Sequence, residues 1–202
     1  MPRVPATDRL ERNRAEAADE VLVAWSVAGD RLAFDQLAAR HLPRLYGLAL
    51  RITGTAAEAE EVAQDAMLRA WENAARFDPA RASFGTWVFR IASNLAIDRV
   101  RSRGSRPAAP LEEAAALADP EPGPEEQLSA RQQRGRMAAA LAELPARQRA
   151  ALALFYDQGL SGSEAASALS VSVRGLEGLL RRARRCLAAR LRGPEGEQDG
   201  WA

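Results

Sequence analysis

Residues 160–187, LSGSEAASALSVSVRGLEGLLRRARRCL, carry two helix starts close together. Ser161 followed by Glu164 forms a capping box, in which a hydroxyl and a carboxylate satisfy amides that the first helical turn leaves free. The helix begun there is expected to end near Leu169, and Ser172 caps the next. Val173, Leu176, Leu180, Ala183, Leu187 and Leu191 then recur at intervals of 3, 4, 3, 4 and 4, one apolar stripe along a long helix. Arg174, Arg181, Arg182, Arg184, Arg185 and Arg190 occupy the rest of its surface, opposed only by Glu177. A short helix, a tight turn and a long basic amphipathic helix make a helix-turn-helix pattern. So many arginines on one helix point to DNA phosphates. A helical hairpin whose arginines only keep one face hydrated has the same periodicity.

Upstream of this stretch, a helix is expected from Gln127 to about Leu144, and Pro145 opens another that runs to Asp157 and stops at Gly159. Before these lies GSRPAAPLEEAAALADPEPGP (104–124), with five prolines and two glycines among alanines and acids. It cannot continue as a helix through its prolines and has little to bury, so it reads as a linker with at most a helical turn around Leu111 to Leu117. The N-terminal part reads as four helices: Ala18 to Ala28; Arg31 towards Ile52, capped by Asp30 and bent or broken at Pro43; Ala56 to Ala75, started by a Thr55–Glu58 capping box; and Phe84 to Arg103, capped by Ser83. The fold class is all-α: two small helical domains joined by a flexible acidic linker. The divisions are a tail over 1–17, a first domain over 18–106, a linker over 107–126, a second domain over 127–193 and a tail over 194–202.

Charge separates along the same lines. The chain of 202 residues has a net charge of only +1 and contains no lysine, so all 28 of its basic residues are arginine. Residues 1–106 carry +2, 107–130 carry −6, 131–193 carry +8 and the tail from Pro194 carries −3. A basic C-terminal domain therefore follows an acidic connector. Cys186 is the only cysteine and His41 the only histidine, which excludes an intramolecular disulfide and argues against a Cys/His zinc site. No cofactor or metal is expected. The chain shows no apolar run of signal-peptide or membrane-spanning length, so the expected location is the cytoplasm, without membrane insertion.

Three stretches, EAEEVAQDAMLRAW (58–71), FGTWVFRIASNLAIDRVRSR (84–103) and LPARQRAALALFYDQGLSGSEAASALSVSVRGLEGLLRRARRCL (144–187), together resemble the extracytoplasmic-function sigma factors of the sigma-70 family in order and spacing. The likeness covers about residues 18–192. It implies a first domain equivalent to sigma region 2 and a second equivalent to sigma region 4. It implies docking on the β′ coiled coil of core RNA polymerase through Glu61, Gln64, Asp65, Met67, Leu68 and Trp71. Glu61, Gln64 and Asp65 share a helical face that Leu68 and Trp71 continue, although Trp71 in the core with solvent-facing acids fits the same spacing. Recognition and melting of −10 promoter DNA is implied for Phe77, Ser83, Phe84, Trp87, Arg90, Asn94, Asp98 and Arg101. Exposed bases stack on aromatics while arginines hold the backbone, but a core role for Phe84 and Trp87 suits their periodicity equally well. Asp98 is expected to orient Arg101 or Arg99.

The resemblance further implies contact with the −35 element through Ser172, Arg174, Gly175, Glu177, Gly178, Arg181, Arg182 and Arg185. Two positions that are basic in many members are here Glu177 and Leu179, and Gly178 offers little side chain. Glu177 could accept from a cytosine amino group, act as a repulsive filter, or belong to a surface meant for a protein. The implied partners are core RNA polymerase through β′ and the β flap, promoter DNA and an anti-sigma factor. The implied function is promoter-specific transcription initiation without catalysis by this chain. A sigma-like decoy that binds an anti-sigma factor and a stand-alone helix-turn-helix regulator are the alternatives. An enzyme is disfavoured, because adjacent Glu60 and Glu61 point apart on a helix and no nucleophile has a plausible base.

Overall fold

In the computed structural model, residues 13–104 and 124–191 are described, and every regular element among them is helical. The first group comprises α1 (Asp19–Val27), α2 (Arg31–Thr53), α3 (Ala56–Glu72) and α4 (Phe84–Ser102), with a 3₁₀ turn over Ala74–Arg76. The second comprises α5 (Pro124–Ala142), α6 (Ala146–Leu152), which runs on into a π turn over Ala153–Asp157, α7 (Gly162–Ala168) and α8 (Val173–Leu191). The all-helical class expected from the sequence is therefore observed. The start of the N-terminal tail, most of the connector with its expected turn at Leu111 to Leu117, and the C-terminal tail lie outside the described residues.

Helix starts follow the capping chemistry at three of the expected places. The Asp30 carboxylate accepts from the amide of Ala33 (3.4 Å), the Ser83 hydroxyl from that of Thr86 (3.2 Å) and the Ser172 hydroxyl from that of Gly175 (3.1 Å). The Ser161–Glu164 capping box forms in full: the Glu164 amide donates to the Ser161 hydroxyl, and the Ser161 amide donates to the Glu164 carboxylate at 2.9 Å. At α3 the expected capping box does not form. The Thr55 hydroxyl instead donates to the Glu58 carboxylate (3.1 Å), which is also held by Arg103 at 2.8 Å. A carboxylate drawn towards a guanidinium on another helix is not free to close a box on its own.

Pro43 neither ends nor splits α2, which runs unbroken from Arg31 to Thr53. Proline removes one ladder hydrogen bond there. Leu37, His41, Leu45, Leu48 and Ile52 are buried on both sides of it, and that packing offsets the loss. The helix ends at Gly54, whose φ of 84° lies in the left-handed region open to glycine, with its amide donating to the Leu50 carbonyl at 2.9 Å. His41, which the sequence leaves without an obvious partner, is buried and meets Asp19 at 2.6 Å. The Arg40 guanidinium grips the same Asp19 carboxylate (2.8 Å) together with the carbonyls of Arg14, Ala15 and Ala17. Asp19 thereby fastens α1 to α2.

The two helical groups share one hydrophobic core. α6 and its π turn pack on α2, and α4 packs on both α6 and α7. The long stripe on α8 is buried only in its middle, at Leu176, Leu180 and Ala183, while Val173 and Leu191 at its ends are exposed. The stripe outruns the short α7 that it covers.

The Ser161 amide and hydroxyl donate to Glu164 and hold its carboxyl below the usual glutamate range. Such a group stabilises the fold above the ordinary glutamate pKa, and that contribution is lost as pH falls through its depressed value. Ser161→Ala is expected to cost about 1 kcal/mol of stability at neutral pH. In urea denaturation the gap between parent and variant should narrow, without closing, as the solution is acidified below pH ~4.

Candidate nucleic-acid interface

Three polar surfaces stand on this scaffold. The first is on α3, where Glu61, Gln64, Asp65 and Leu68 are exposed side by side. Glu61 forms an ion pair with Arg99 of α4, so its carboxylate is held in place. Met67 is buried (5 % exposed) and offers nothing to a partner from this face. Trp71 is half-buried, its ring standing edge-on to Phe34 with centroids 4.8 Å apart. The core alternative thus describes much of Trp71, and Leu68 is the large apolar residue that α3 presents outward.

The second surface is the outer side of α4 with the loop before it. Arg90, Asn94, Asp98 and Arg101 are exposed at intervals of 4, 4 and 3. Asp98 lies 3.8 Å from Arg101, whereas Arg99 faces Glu61, so of the two arginines Asp98 accompanies Arg101. Phe84 is fully buried and cannot stack on a base in this arrangement. Phe77, Phe84 and Trp87 form an aromatic triad with centroid separations of 5.4–5.8 Å, which ties the loop to the first turns of α4. Ser83 is exposed, and its hydroxyl is engaged as the cap of α4.

Beside this surface lies a cleft of about 350 Å³ lined by Arg69, Asn73, Arg76, Trp87, Arg90 and Asn94. Arg69, Asn73 and Arg76 escaped the sequence reading. The signal was present: the three are spaced 4 and 3 apart, a polar stripe that leaves α3 and continues onto the 3₁₀ turn. The Asn73 amide donates to the Arg69 carbonyl (2.8 Å), which fixes the floor of the cleft. Three guanidiniums around two amides and an indole suit a nucleotide, with its phosphate against arginine and its base beside an aromatic.

The third surface is α8. Arg174, Glu177, Arg181, Arg182 and Arg185 are exposed, while Gly175 and Gly178 are half-buried. A Cβ on Gly178 would lie 3.4 Å from the Arg182 guanidinium, which therefore folds back one turn over the bare glycine. At Gly175 a Cβ would approach the Ser172 hydroxyl and Val171 to 3.3 Å, so glycine suits the capped turn. Leu179, where many sigma factors are basic, packs against the core. Among the described residues no helix is long and apolar enough to cross a membrane.

A helical bundle carrying an arginine-lined cleft, coupled to a helix-turn-helix with a basic outer face, is the architecture of a transcription-initiation factor. The chain matches the family models for sigma-70 region 2 over residues 37–106 and sigma-70 region 4 over residues 134–187. It is 37 % identical to the RNA polymerase sigma factor CnrH of Cupriavidus metallidurans over 183 residues, 87 % of this chain and 95 % of that protein. It is 38 % identical to the ECF RNA polymerase sigma factor SigM of Mycobacterium tuberculosis over 177 residues, 87 % of this chain and 85 % of that one. The solved structure of CnrH in complex with the cytosolic domain of CnrY superposes with a TM-score of 0.65 at 30 % identity, covering 88 % of this chain and 99 % of the matched chain. The fold also matches that of the sigma factor RpoE in complex with the anti-sigma factor NepR from Bartonella quintana, with a TM-score of 0.58 at 24 % identity over 80 % of this chain and 98 % of that one. The protein belongs to the extracytoplasmic-function sigma factors of the sigma-70 family, which bind RNA polymerase and direct promoter-specific initiation.

Because Trp71 packs on Phe34, Trp71→Ala is expected to cost roughly 2–3 kcal/mol of stability. Leu68→Ala, which removes an exposed side chain, should change stability by less than about 0.5 kcal/mol. Chemical denaturation of the two variants checks both values.

Proposed function

We propose a division of labour among the three surfaces, with residues 18–106 acting as region 2 and 127–193 as region 4. The exposed face of α3, with Glu61, Gln64, Asp65 and Leu68, docks on the β′ coiled coil of core polymerase, and Trp71 braces it from beneath. Acids around an exposed leucine can pair with arginines and bury apolar area at once. Region 4 engages the β flap. The face of α4 captures unpaired non-template bases of the −10 element. There Asn94 presents a paired donor and acceptor to a base edge, while Arg90 and Arg101 hold the strand. The observation that carries this reading is the arginine-lined cleft flanked by Trp87 and Asn94.

The N-terminal turns of α8 enter the major groove at the −35 element, where Arg174, Glu177, Arg181 and Arg182 reach base edges or phosphates. Ser172 and Gly175 shape the helix start, and Arg185 extends the phosphate contacts. The chain performs no catalysis. Polymerase supplies the bond-forming chemistry, and the factor works in the cytoplasm, at the nucleoid when bound to polymerase. An anti-sigma factor is the expected regulatory partner, since CnrH and RpoE have each been solved with a protein partner, that of RpoE being an anti-sigma factor.

Run-off transcription with core polymerase tests the proposal. Discrete start sites should appear only when this chain is added, and their absence together with absent polymerase binding would overturn it. Asp65→Arg should weaken polymerase binding with helical content unchanged. Replacing Arg181 and Arg182 with alanine should lower promoter affinity and reduce the log–log salt slope by up to about one unit for each phosphate no longer neutralised. A slope identical to the parent's would place the DNA-binding face elsewhere.

A further inference from the structure

The seam between the two helical groups is held by guanidiniums, and beside them the packing leaves a void. The Arg149 guanidinium on α6 donates to the Ile52 carbonyl at the end of α2 through Nε (3.0 Å) and Nη2 (2.6 Å). Its Nη1 donates to the carbonyls of Ala142 and Leu144 at the end of α5, each at 2.8 Å. Arg51 pairs with Asp157 across the same seam (3.1 Å). Next to these contacts lies a cavity of about 360 Å³. Its walls are the ends of α2 and α5, the last turns of α6 with its π turn, and the second half of α8.

Protein interiors are close-packed, and voids larger than a water molecule are few. The lining of this one is mainly apolar. Leu141, Leu152 and Leu187 border it and are only half-buried, so each keeps apolar surface that the described residues leave uncovered. Buried Ala153 lies on its inner side, whereas Met137 and Tyr156, both exposed, stand at its mouth. An apolar cavity holds water poorly and takes an apolar guest instead. Its volume sits near the lower end of the range for small-molecule pockets, about 300–1,000 Å³.

The charges around the cavity select the kind of guest. Arg51 and Asp157 neutralise one another. Arg149 directs its donors at carbonyls and, among the described residues, pairs with no carboxylate. Burial, together with nearby Arg103, pushes the Arg149 guanidinium below its usual range, a cost that an anion in the cavity offsets. Arg184 lines the cavity from α8 and is exposed, and its Nε donates to the Leu180 carbonyl of its own helix (3.4 Å). Its two Nη groups meet no acceptor among the described residues. An uncommitted guanidinium beside an apolar cavity suits one negative group on an apolar body, and its planar fork fits a carboxylate.

We infer that this cavity binds a small amphiphilic monoanion, a free medium-chain carboxylic acid, with its chain against Leu141, Leu152 and Leu187 and its carboxylate on the Nη groups of Arg184. The site is distinct from the three polar surfaces and does not depend on their assignment.

The test uses the full chain and sodium decanoate, well below the concentration at which it forms micelles. Isothermal titration calorimetry should show one site per chain with a dissociation constant below roughly 100 µM. Ligand should also raise the melting temperature, as any molecule bound only by the folded chain does. Decanol, of the same length but uncharged, should bind at least about tenfold more weakly. Arg184→Gln should weaken decanoate binding by a similar factor and leave decanol unchanged, and Arg184→Lys should keep most of the affinity. Arg31→Gln, which removes an equal charge at the opposite end of α2, should have no effect. Ala142→Phe fills the cavity from its wall without removing the carbonyl that Arg149 uses, and should abolish binding of both ligands. Circular dichroism checks that this variant keeps its helices; if it does not, Arg184→Gln alone decides. Vesicles of anionic phospholipid should not displace decanoate. No decanoate binding, or many molecules per chain, overturns the site. Decanol bound as tightly as decanoate overturns the anionic class, Arg184→Gln matching the parent overturns the place of the carboxylate, and displacement by vesicles overturns the free ligand.

Discussion

Four hydrogen bonds from the Arg149 guanidinium, all to main-chain carbonyls, decide how the two halves of this molecule stand to one another. A helix C-terminus leaves carbonyls without partners and carries a partial negative charge, and two such ends point at one side chain. A lysine could not serve both at once, because its ammonium is a point and lacks the planar fork that spans separate acceptors. The neighbouring Thr53 carbonyl is met by Arg103 from α4, so the end of α2 is satisfied partly by its own region and partly by the other.

The closeness of the helices follows from what lines them. Ala59, Ala63, Ala66 and Ala70 on α3, Ala92 and Ala96 on α4, and Ala165, Ala166 and Ala168 on α7 are all buried. Small side chains bring backbones near each other, and the larger Phe84, Phe89, Leu45 and Leu48 fill what remains. A bundle packed this way has little freedom to repack. Its polar outer stripes are therefore held in register, the rigidity that the proposed capture of an unpaired base calls for.

Much of this was legible in the residues. Helix starts at Asp30, Ser83, Ser161 and Ser172 were readable because a side-chain oxygen beside the first turn is a local matter. Thr55 does not close its box, since its partner Glu58 is drawn away by Arg103, 45 residues distant. Pro43 does not break α2 for the same kind of reason, local chemistry being overridden by burial on either side. Periodicity located Phe84 and Trp87 on an inward face but could not say which reaches solvent. Met67 sits on the buried side of α3 although it is near exposed Leu68 in sequence. The cleft at Arg69, Asn73 and Arg76 was hidden because it is formed jointly by two helices, and the seam was hidden because it joins carbonyls and side chains about a hundred residues apart.

The chemistry of the seam also bears on how such a chain can drift. Carbonyl oxygens belong to the backbone, so a change of side chain at position 52, 142 or 144 leaves the acceptors of Arg149 in place. The N-terminal helices can vary their outer side chains while still presenting the same carbonyl to Arg149. Arg149 itself has no comparable latitude, because any replacement strands carbonyls in two helices at once. Mutational tolerance is therefore lopsided across the seam, and one codon bears a constraint that would otherwise be spread over two domains.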